Sequence, residues 1–229
     1  MRIGGFQKLT LVDFPGKVAA TVFTQGCNFR CGYCHNSELV LPRLFQAHFS
    51  EEEVLNYLHD RRKKLQGVVI SGGEPTLQKG LVDFIVRIKE MGFKAKIDTN
   101  GSHPEVLLSL IELNLLDYIA MDIKSTLQKY SQVTGIDCDT TRVQESVSVI
   151  INSGVPYQLR TTLVKEFCTR EDLCDIQTLI ADADHYVLQP LVLSQKMIDV
   201  RLKSQSQYTN MEIDLLKAKY DRCQVEGIL

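Results

Sequence analysis

The 229-residue sequence has no long apolar run and no marked excess of either charge. No segment reaches the roughly 18 apolar residues that a membrane-spanning helix needs, so no membrane partner is expected. The amino-terminal segment also lacks the apolar run and the small-residue cleavage site of a secretory signal, which predicts a cytoplasmic protein. A net charge of −2 argues against a nucleic-acid-binding surface, and the short basic run at 61–64 is interpreted as a helix end.

The cysteines are odd in number and come without an export signal, which argues against a disulfide framework. Three of the seven are crowded into eight residues: Cys27, Cys31 and Cys34. In a reducing compartment this crowding indicates metal or redox chemistry. The other four are dispersed and are interpreted as ordinary packed or surface thiols, with a second metal or redox site as the alternative: Cys138, Cys168, Cys174 and Cys223.

No low-complexity tract or linker divides the chain, so one domain over 1–229 is expected, with a carboxy-terminal extension from about residue 191. Runs rich in Val, Ile and Ala alternate with capped helix-like segments. Strands are predicted at 18–24, 67–71, 93–98, 118–123, 156–163 and 185–189, and helices at 51–66, 81–90, 104–113, 141–153, 169–181 and 210–222. This alternation predicts an α/β fold with a parallel sheet, either a closed or partial barrel or an open doubly wound sheet. Ligands of such folds bind at the loops that follow the strands.

The loop after the first predicted strand reads Gly26-Cys27-Asn28-Phe29-Arg30-Cys31-Gly32-Tyr33-Cys34-His35-Asn36. Its C-x3-C-x2-C spacing lets three thiolates each bind one iron of a cubane cluster, which leaves the fourth iron without a protein ligand. A structural cluster or a zinc site would normally have a fourth Cys or His, and His35 is poorly placed to supply it. Zinc stays open as an alternative metal.

This loop resembles the defining motif of the radical S-adenosylmethionine (SAM) superfamily. Farther along, Gly72-Gly73-Glu74 at the end of the second predicted strand resembles the family's GGE motif, which contacts the methionyl amine of SAM. The resemblance implies a partial (β/α)6 TIM-like barrel. It also implies a [4Fe–4S] cluster on Cys27, Cys31 and Cys34, with SAM on the open iron.

Polar residues also end later strands. Asp98 and Asp122 are costly to bury unless paired, either with lysines such as Lys124 or with a ligand. The functional interpretation is that they face the cavity and hold the cofactor, directly or through a monovalent cation. No catalytic residue is predicted beyond the cluster and SAM. The candidate cofactor-binding residues are Tyr33, His35, Asn36, Gly72, Gly73, Glu74, Asp98, Thr99, Asn100, Asp122, Lys124, Arg160 and Gln189.

Within the superfamily, the closest resemblance is to the activating enzymes of glycyl-radical enzymes. The strings Tyr33-Cys34-His35-Asn36, Asp98-Thr99-Asn100-Gly101 and Asp122-Ile123-Lys124 resemble the pyruvate formate-lyase activase. The segments at 11–17 and 23–27 resemble the activating protein of the anaerobic ribonucleoside-triphosphate reductase. The likeness extends from about residue 3 to about residue 190. It implies an oxidoreductase that cleaves SAM reductively and uses the 5′-deoxyadenosyl radical to place a radical on a glycine of a partner enzyme, with a flavodoxin- or ferredoxin-type electron donor.

Two departures and three alternatives accompany this interpretation. Gln189-Pro190 stands where the pyruvate formate-lyase activase has a His, and the 37 residues between Cys34 and Gly72 leave no room for a ferredoxin-like insertion. The nearest alternative is a radical SAM enzyme acting on a small molecule, similar to 7-carboxy-7-deazaguanine synthase. A regulatory SAM-binding protein and a non-enzymatic iron–sulfur or zinc module are the others.

Overall fold

The strands follow one another across one sheet in the order of the chain. The computed structural model describes residues 1–202, 204–219 and 223–225. Within them, β2 to β8 run parallel, and β1 pairs antiparallel with β2. The strands are β1 (Ile3–Thr10), β2 (Ala19–Thr24), β3 (Gly67–Gly72), β4 (Lys94–Thr99), β5 (Tyr118–Asp122), β6 (Tyr157–Leu163), β7 (Tyr186–Pro190) and β8 (Cys223–Val225).

Helices lie between the parallel strands, as β/α alternation requires. They are α1 (Ser37–Val40), α2 (Glu51–Arg61), α3 (Leu81–Glu90), α4 (Pro104–Glu112), α5 (Tyr130–Thr134), α6 (Thr140–Ile151), α7 (Arg170–Leu179) and α8 (Asn210–Lys219). This architecture confirms the α/β fold and the partial TIM-like barrel. None of the described helices is long and apolar enough to cross a membrane.

The six predicted strands are confirmed as β2 to β7, with ends within one residue of the prediction. Two strands were missed. β1 contains two glycines and exposed polar residues and lies at the sheet edge, so it lacks the apolar run by which buried strands are recognised. β8 follows α8, whose predicted last residues, 220–222, lie outside the described part of the chain.

Helix ends follow the capping chemistry of the sequence. A capping box starts α2, with Glu53 N donating to Ser50 Oγ and Ser50 N donating to Glu53 Oε2. α2 nevertheless ends at Arg61, five residues before the prediction. The five residues from Asp60 to Lys64 are all charged and exposed, so a longer helix would bury nothing there.

The barrel is closed at the amino-terminal ends of its strands. Phe14 is 1% exposed and packs against Ala19 and Val69, with Tyr118 at its side. A Cβ on Gly67, which begins β3, would lie 2.8 Å from the Phe14 ring, so only glycine leaves room for it. Because this end is filled by side chains, the carboxyl ends of the strands are left as the place for a ligand.

Candidate functional site

A cavity of about 290 Å³ lies at the carboxyl ends of the strands. All sixteen predicted site residues line it: Cys27, Cys31, Cys34, Tyr33, His35, Asn36, Gly72, Gly73, Glu74, Asp98, Thr99, Asn100, Asp122, Lys124, Arg160 and Gln189. Three further lining residues were not predicted, namely Phe29, Val40 and Ser71. Residues from six segments of the chain therefore meet at one edge of the sheet, as parallel strands require.

The cysteine loop is held by its own backbone. Cys34 N donates to Cys31 O at 3.0 Å, which closes a tight turn between two of the thiols. Phe29 N donates to Cys27 Sγ at 3.4 Å. The Arg30 guanidinium donates to the Cys27 carbonyl at 2.7 Å within the loop, and the Arg30 backbone N–H ties the loop to the Thr134 carbonyl at 2.6 Å.

The three thiols suit metal binding better than nucleophilic chemistry. Burial raises the pKa of Cys27 to about 12 and that of Cys31 to about 11, and it raises the pKa of Cys34 as well. Reactive cysteines have lowered values, whereas a bound metal deprotonates a buried thiol outright. Among the described residues, no three His, Cys, Asp or Glu side chains converge on one ion. Thiolates that each bind a different iron of a cubane need no such convergence.

The Gly-Gly pair brings the end of β3 against the cysteine loop. A Cβ on Gly73 would lie 2.0 Å from the carbonyl oxygen of Gly26, and Glu74 N donates to that same oxygen at 2.8 Å. Gly72 has φ +110°, a conformation that favours glycine. The two glycines therefore admit the backbone of the neighbouring loop. That they also admit a ligand stays a prediction.

Glu74 is 1% exposed and bridges the ends of two strands. Its Oε1 accepts hydrogen bonds from Thr76 N (3.1 Å), Thr76 Oγ1 (2.6 Å) and Thr99 Oγ1 (2.8 Å), and its Oε2 accepts one from Asn100 N (2.7 Å). Burial raises the pKa of Glu74, and these hydrogen bonds oppose the rise. Oε1 is filled by internal donors and Oε2 accepts one, so this carboxylate positions the two strand ends. The predicted contact of this motif with the methionyl amine of SAM stays a prediction.

The cavity floor carries paired charges. Asp122 Oδ1 accepts from Arg160 Nε at 2.8 Å, and Asp122 Oδ2 accepts from Lys124 Nζ at 3.0 Å. Burial alone would raise the pKa of Asp122, but the two cations hold it well below its ordinary value. Burial alone would lower the pKa of Lys124, but Asp122 raises it well above its ordinary value. All three groups are therefore charged at neutral pH.

Asp98 has a partner that the sequence analysis missed. Its Oδ1 lies 2.6 Å from Lys96 Nζ, and its Oδ2 accepts from Ser71 Oγ at 2.9 Å. Lys96 is only 2% exposed. The signal was present in the sequence, because Lys94, Lys96 and Asp98 alternate with apolar residues and so share one face of β4.

The aromatic and amide residues of the cysteine loop differ in their contacts. The Tyr33 hydroxyl is buried and, within the described residues, is the one such side-chain atom without a hydrogen-bond partner. The His35 ring contacts the carbonyl of Val192. Asn36 O accepts from the N–H groups of Leu39 and Val40, which begins α1. The Tyr33 hydroxyl therefore has polar capacity left for a ligand, and the Asn36 side chain makes no cap hydrogen bond at the start of α1.

Three of the four dispersed cysteines do not line the cavity. Cys138, Cys168 and Cys174 form no disulfide and are, respectively, half-buried, buried and exposed. The side chain of Cys223 lies outside the described part of the chain. Nothing in the described residues brings these three thiols into a second cluster.

Comparison with known proteins identifies the family. A model of the Radical SAM superfamily matches residues 21–176. A Methanocaldococcus jannaschii protein named as a candidate glycyl-radical enzyme activating enzyme is 38% identical over 192 residues, which is 82% of this chain and 78% of that protein. The pyruvate formate-lyase 1-activating enzyme of Escherichia coli K12 is 29% identical over 184 residues, 75% of this chain and 71% of that enzyme.

Solved structures agree on the fold. Streptococcus suis SuiB, bound to its precursor peptide SuiA, superposes with a TM-score of 0.67 at 14% identity, over 90% of this chain and 48% of SuiB. This chain thus spans about half the length of SuiB.

The chain belongs to the radical SAM superfamily and, within it, to the glycyl-radical enzyme activating enzymes. It is an enzyme of that class, and membership implies a [4Fe–4S] cluster and SAM.

Proposed function

We propose that this enzyme holds a [4Fe–4S] cluster on Cys27, Cys31 and Cys34 and generates a glycyl radical on a partner enzyme. The observation that carries the proposal is that three free thiols share one cavity with a cluster of buried charges. When bound there, the cluster and SAM would supply one-electron cleavage of the sulfonium, releasing methionine and leaving a 5′-deoxyadenosyl radical that takes a hydrogen atom from a glycine Cα.

The residues present suit both groups. The described residues that line the cavity include three thiols and no fourth. This number matches a cubane cluster with one iron left open. The buried Tyr33 hydroxyl has no partner of its own and can take a ligand atom. The ammonium of Lys124 and the guanidinium of Arg160 line the same cavity and can receive the carboxylate of SAM.

The chain's own contribution is to position groups and exclude water. Glu74 ties the ends of β3 and β4 together, and Gly73 seats the cysteine loop against them. The filled amino-terminal end of the barrel leaves one open edge, through which a glycine-bearing loop can enter. The ligand contacts of His35, Asn36, Thr99, Asn100 and Gln189 stay predictions. So does a monovalent cation at Asp98 and Asp122, where Lys96 Nζ already lies 2.6 Å from Asp98 Oδ1.

The proposed partner is the anaerobic ribonucleoside-triphosphate reductase, with a flavodoxin- or ferredoxin-type protein as electron donor. Support comes from the resemblance of 11–17 and 23–27 and from the activase names of the relatives. The first of these segments also has a structural role, because Asp13 accepts a hydrogen bond from Thr21 at 2.6 Å and Phe14 fills the barrel end. Its likeness is therefore evidence of ancestry more than of a partner-binding surface.

Electron paramagnetic resonance (EPR) on candidate partners tests the proposal. The anaerobically reconstituted chain, SAM and a chemical reductant are incubated with the purified reductase or, in parallel, with pyruvate formate-lyase. A glycyl-radical signal on the reductase alone supports the proposal in full. A signal on pyruvate formate-lyase alone reassigns the partner. Accumulation of 5′-deoxyadenosine with no protein radical on either would favour the small-molecule alternative.

A further inference from the structure

Lys96 is a buried ammonium in the barrel that neither the cysteine motif nor the family motifs include. It lies on β4 two residues before Asp98, so both side chains project from the same face of the strand. Asp98 lines the cavity and Lys96 does not. Lys96 therefore lies one layer below the cavity floor, toward the filled end of the barrel, where its ammonium is 5.9 Å from the centre of the Tyr118 ring.

Stability alone does not account for a lysine at this position. Burying an ammonium carries a large desolvation penalty, which a carboxylate partner offsets without a reliable net gain. Apolar side chains of similar volume often serve such positions as well or better. The neighbouring layer is already apolar, with Phe14, Val69 and Tyr118 packed together. The charge at position 96 thus points to a role in the polar site above it.

The carboxylate of Asp98 is already paired with cations of the protein. Lys96 Nζ is 2.6 Å from Asp98 Oδ1, and Arg160 Nη1 is 3.8 Å from the same oxygen. Ser71 Oγ donates to the other oxygen. At Asp122, both oxygens likewise accept from cationic groups, Arg160 and Lys124. Three side-chain cations therefore face two carboxylates, and an added metal ion would meet like charges at each of them.

We infer that Lys96 is a built-in cation of the cofactor site, taking at Asp98 the place of a monovalent metal ion, so that SAM binds without added alkali cations. The inference deepens the proposed function and rests on it. Lys96 acts through Asp98 and is a positioning residue, since its own side chain does not reach the cavity.

Calorimetric titration of SAM into the anaerobically reconstituted full chain tests this inference. Titrations are run at constant ionic strength in potassium, sodium or tetramethylammonium chloride. Wild-type affinity should agree within about twofold among the three salts. Lys96→Met should lose about tenfold or more in tetramethylammonium and regain much of that loss in potassium or sodium. Lys94→Met is the matched control, because Lys94 lies on the same strand face but pairs with Asp117 and is 55% exposed.

The outcomes are distinct. A wild-type protein that loses about tenfold in affinity in tetramethylammonium overturns the inference, and this arm requires no variant. Lys96→Met binding that matches wild type in every salt also overturns it, as does a loss that neither metal cation restores. If Lys96→Met does not fold, Lys96→Gln is titrated in its place. Absence of SAM binding by wild type in all three salts would contradict the proposed function itself, and the inference would fall with it.

Discussion

Replacement of Glu74 by Gln tests whether this carboxylate holds the two strand ends together. The substitution keeps the size of the side chain and changes one oxygen into an NH₂ group. In the wild-type side chain, Oε1 accepts hydrogen bonds from Thr76 and Thr99, and Oε2 accepts one from Asn100 N. If the amide oxygen keeps the first set, its NH₂ group faces the Asn100 N–H, so two donors oppose each other and one buried backbone N–H is left without an acceptor.

The expected cost follows from these contacts. Losing a hydrogen bond to a charged group costs about 1.5–3 kcal/mol, and a buried donor left unsatisfied costs about 1–3 kcal/mol. Burial disfavours the charged form of Glu74 and raises its pKa, so a neutral amide at this position recovers part of the desolvation penalty. We expect a net loss of about 2–4 kcal/mol in the free energy of unfolding.

Urea denaturation of the full chain measures the loss as a lower midpoint at unchanged m-value. Glu105→Gln is the matched control, because Glu105 pairs with Arg142 at the surface and is 58% exposed. The control should lose no more than about 1 kcal/mol. A Glu74→Gln variant as stable as the control would refute the assignment of Glu74 as the link between β3 and β4.

Three further substitutions test other parts of the site and fold. Burial alone would raise the pKa of Asp117, but its lysine partners hold it below its ordinary value. In urea denaturation at pH 7, Asp117→Asn should therefore lose about 1–2 kcal/mol of the free energy of unfolding. The difference in stability between variant and wild type should narrow below about pH 4, where the wild-type carboxylate becomes protonated. A difference that does not change with pH would contradict this. Gly73→Ala should lower iron content after reconstitution, since its Cβ would lie 2.0 Å from Gly26 O. Gly5→Ala is the control and should keep the wild-type iron content, since a Cβ on Gly5 would lie 3.4 Å from its nearest neighbour. Equal iron content in the two variants would count against the close approach of Gly73 to the cysteine loop. Tyr33→Phe should keep or raise the melting temperature of the metal-free protein, because it removes a buried hydroxyl that has no protein partner. The same variant should bind SAM more weakly in calorimetry, and a lower melting temperature would argue against this account.

Most of the barrel, and the meeting of the predicted site residues in one cavity, could be predicted from the sequence for a simple geometric reason. Parallel strands end at one edge, so polar residues that follow separate apolar runs must meet there. Cys27 and Gln189 are 162 positions apart in the chain and line the same cavity. The side-chain caps at Ser50 and Thr169 are equally local, because each pairs with an acidic residue three positions along the chain.

What the sequence did not reveal depends on contacts between distant residues. The hydrogen bonds of Glu74 come partly from Thr99 and Asn100, 25 and 26 positions away, and no local pattern encodes them. Lys96 was passed over because lysines are almost always exposed, although its spacing from Asp98 placed it on the inner face. β1 was missed because an edge strand with one exposed face carries little apolar signal.

The central claim is that three thiolates hold a cubane whose fourth iron is open to SAM. EPR of the reduced, anaerobically reconstituted protein, recorded with and without SAM, tests it most directly. We predict a cluster signal that changes on addition of SAM and that is absent from the Cys31→Ala variant. A spectrum that SAM leaves unchanged, or a cluster that survives the loss of Cys31, would contradict the claim.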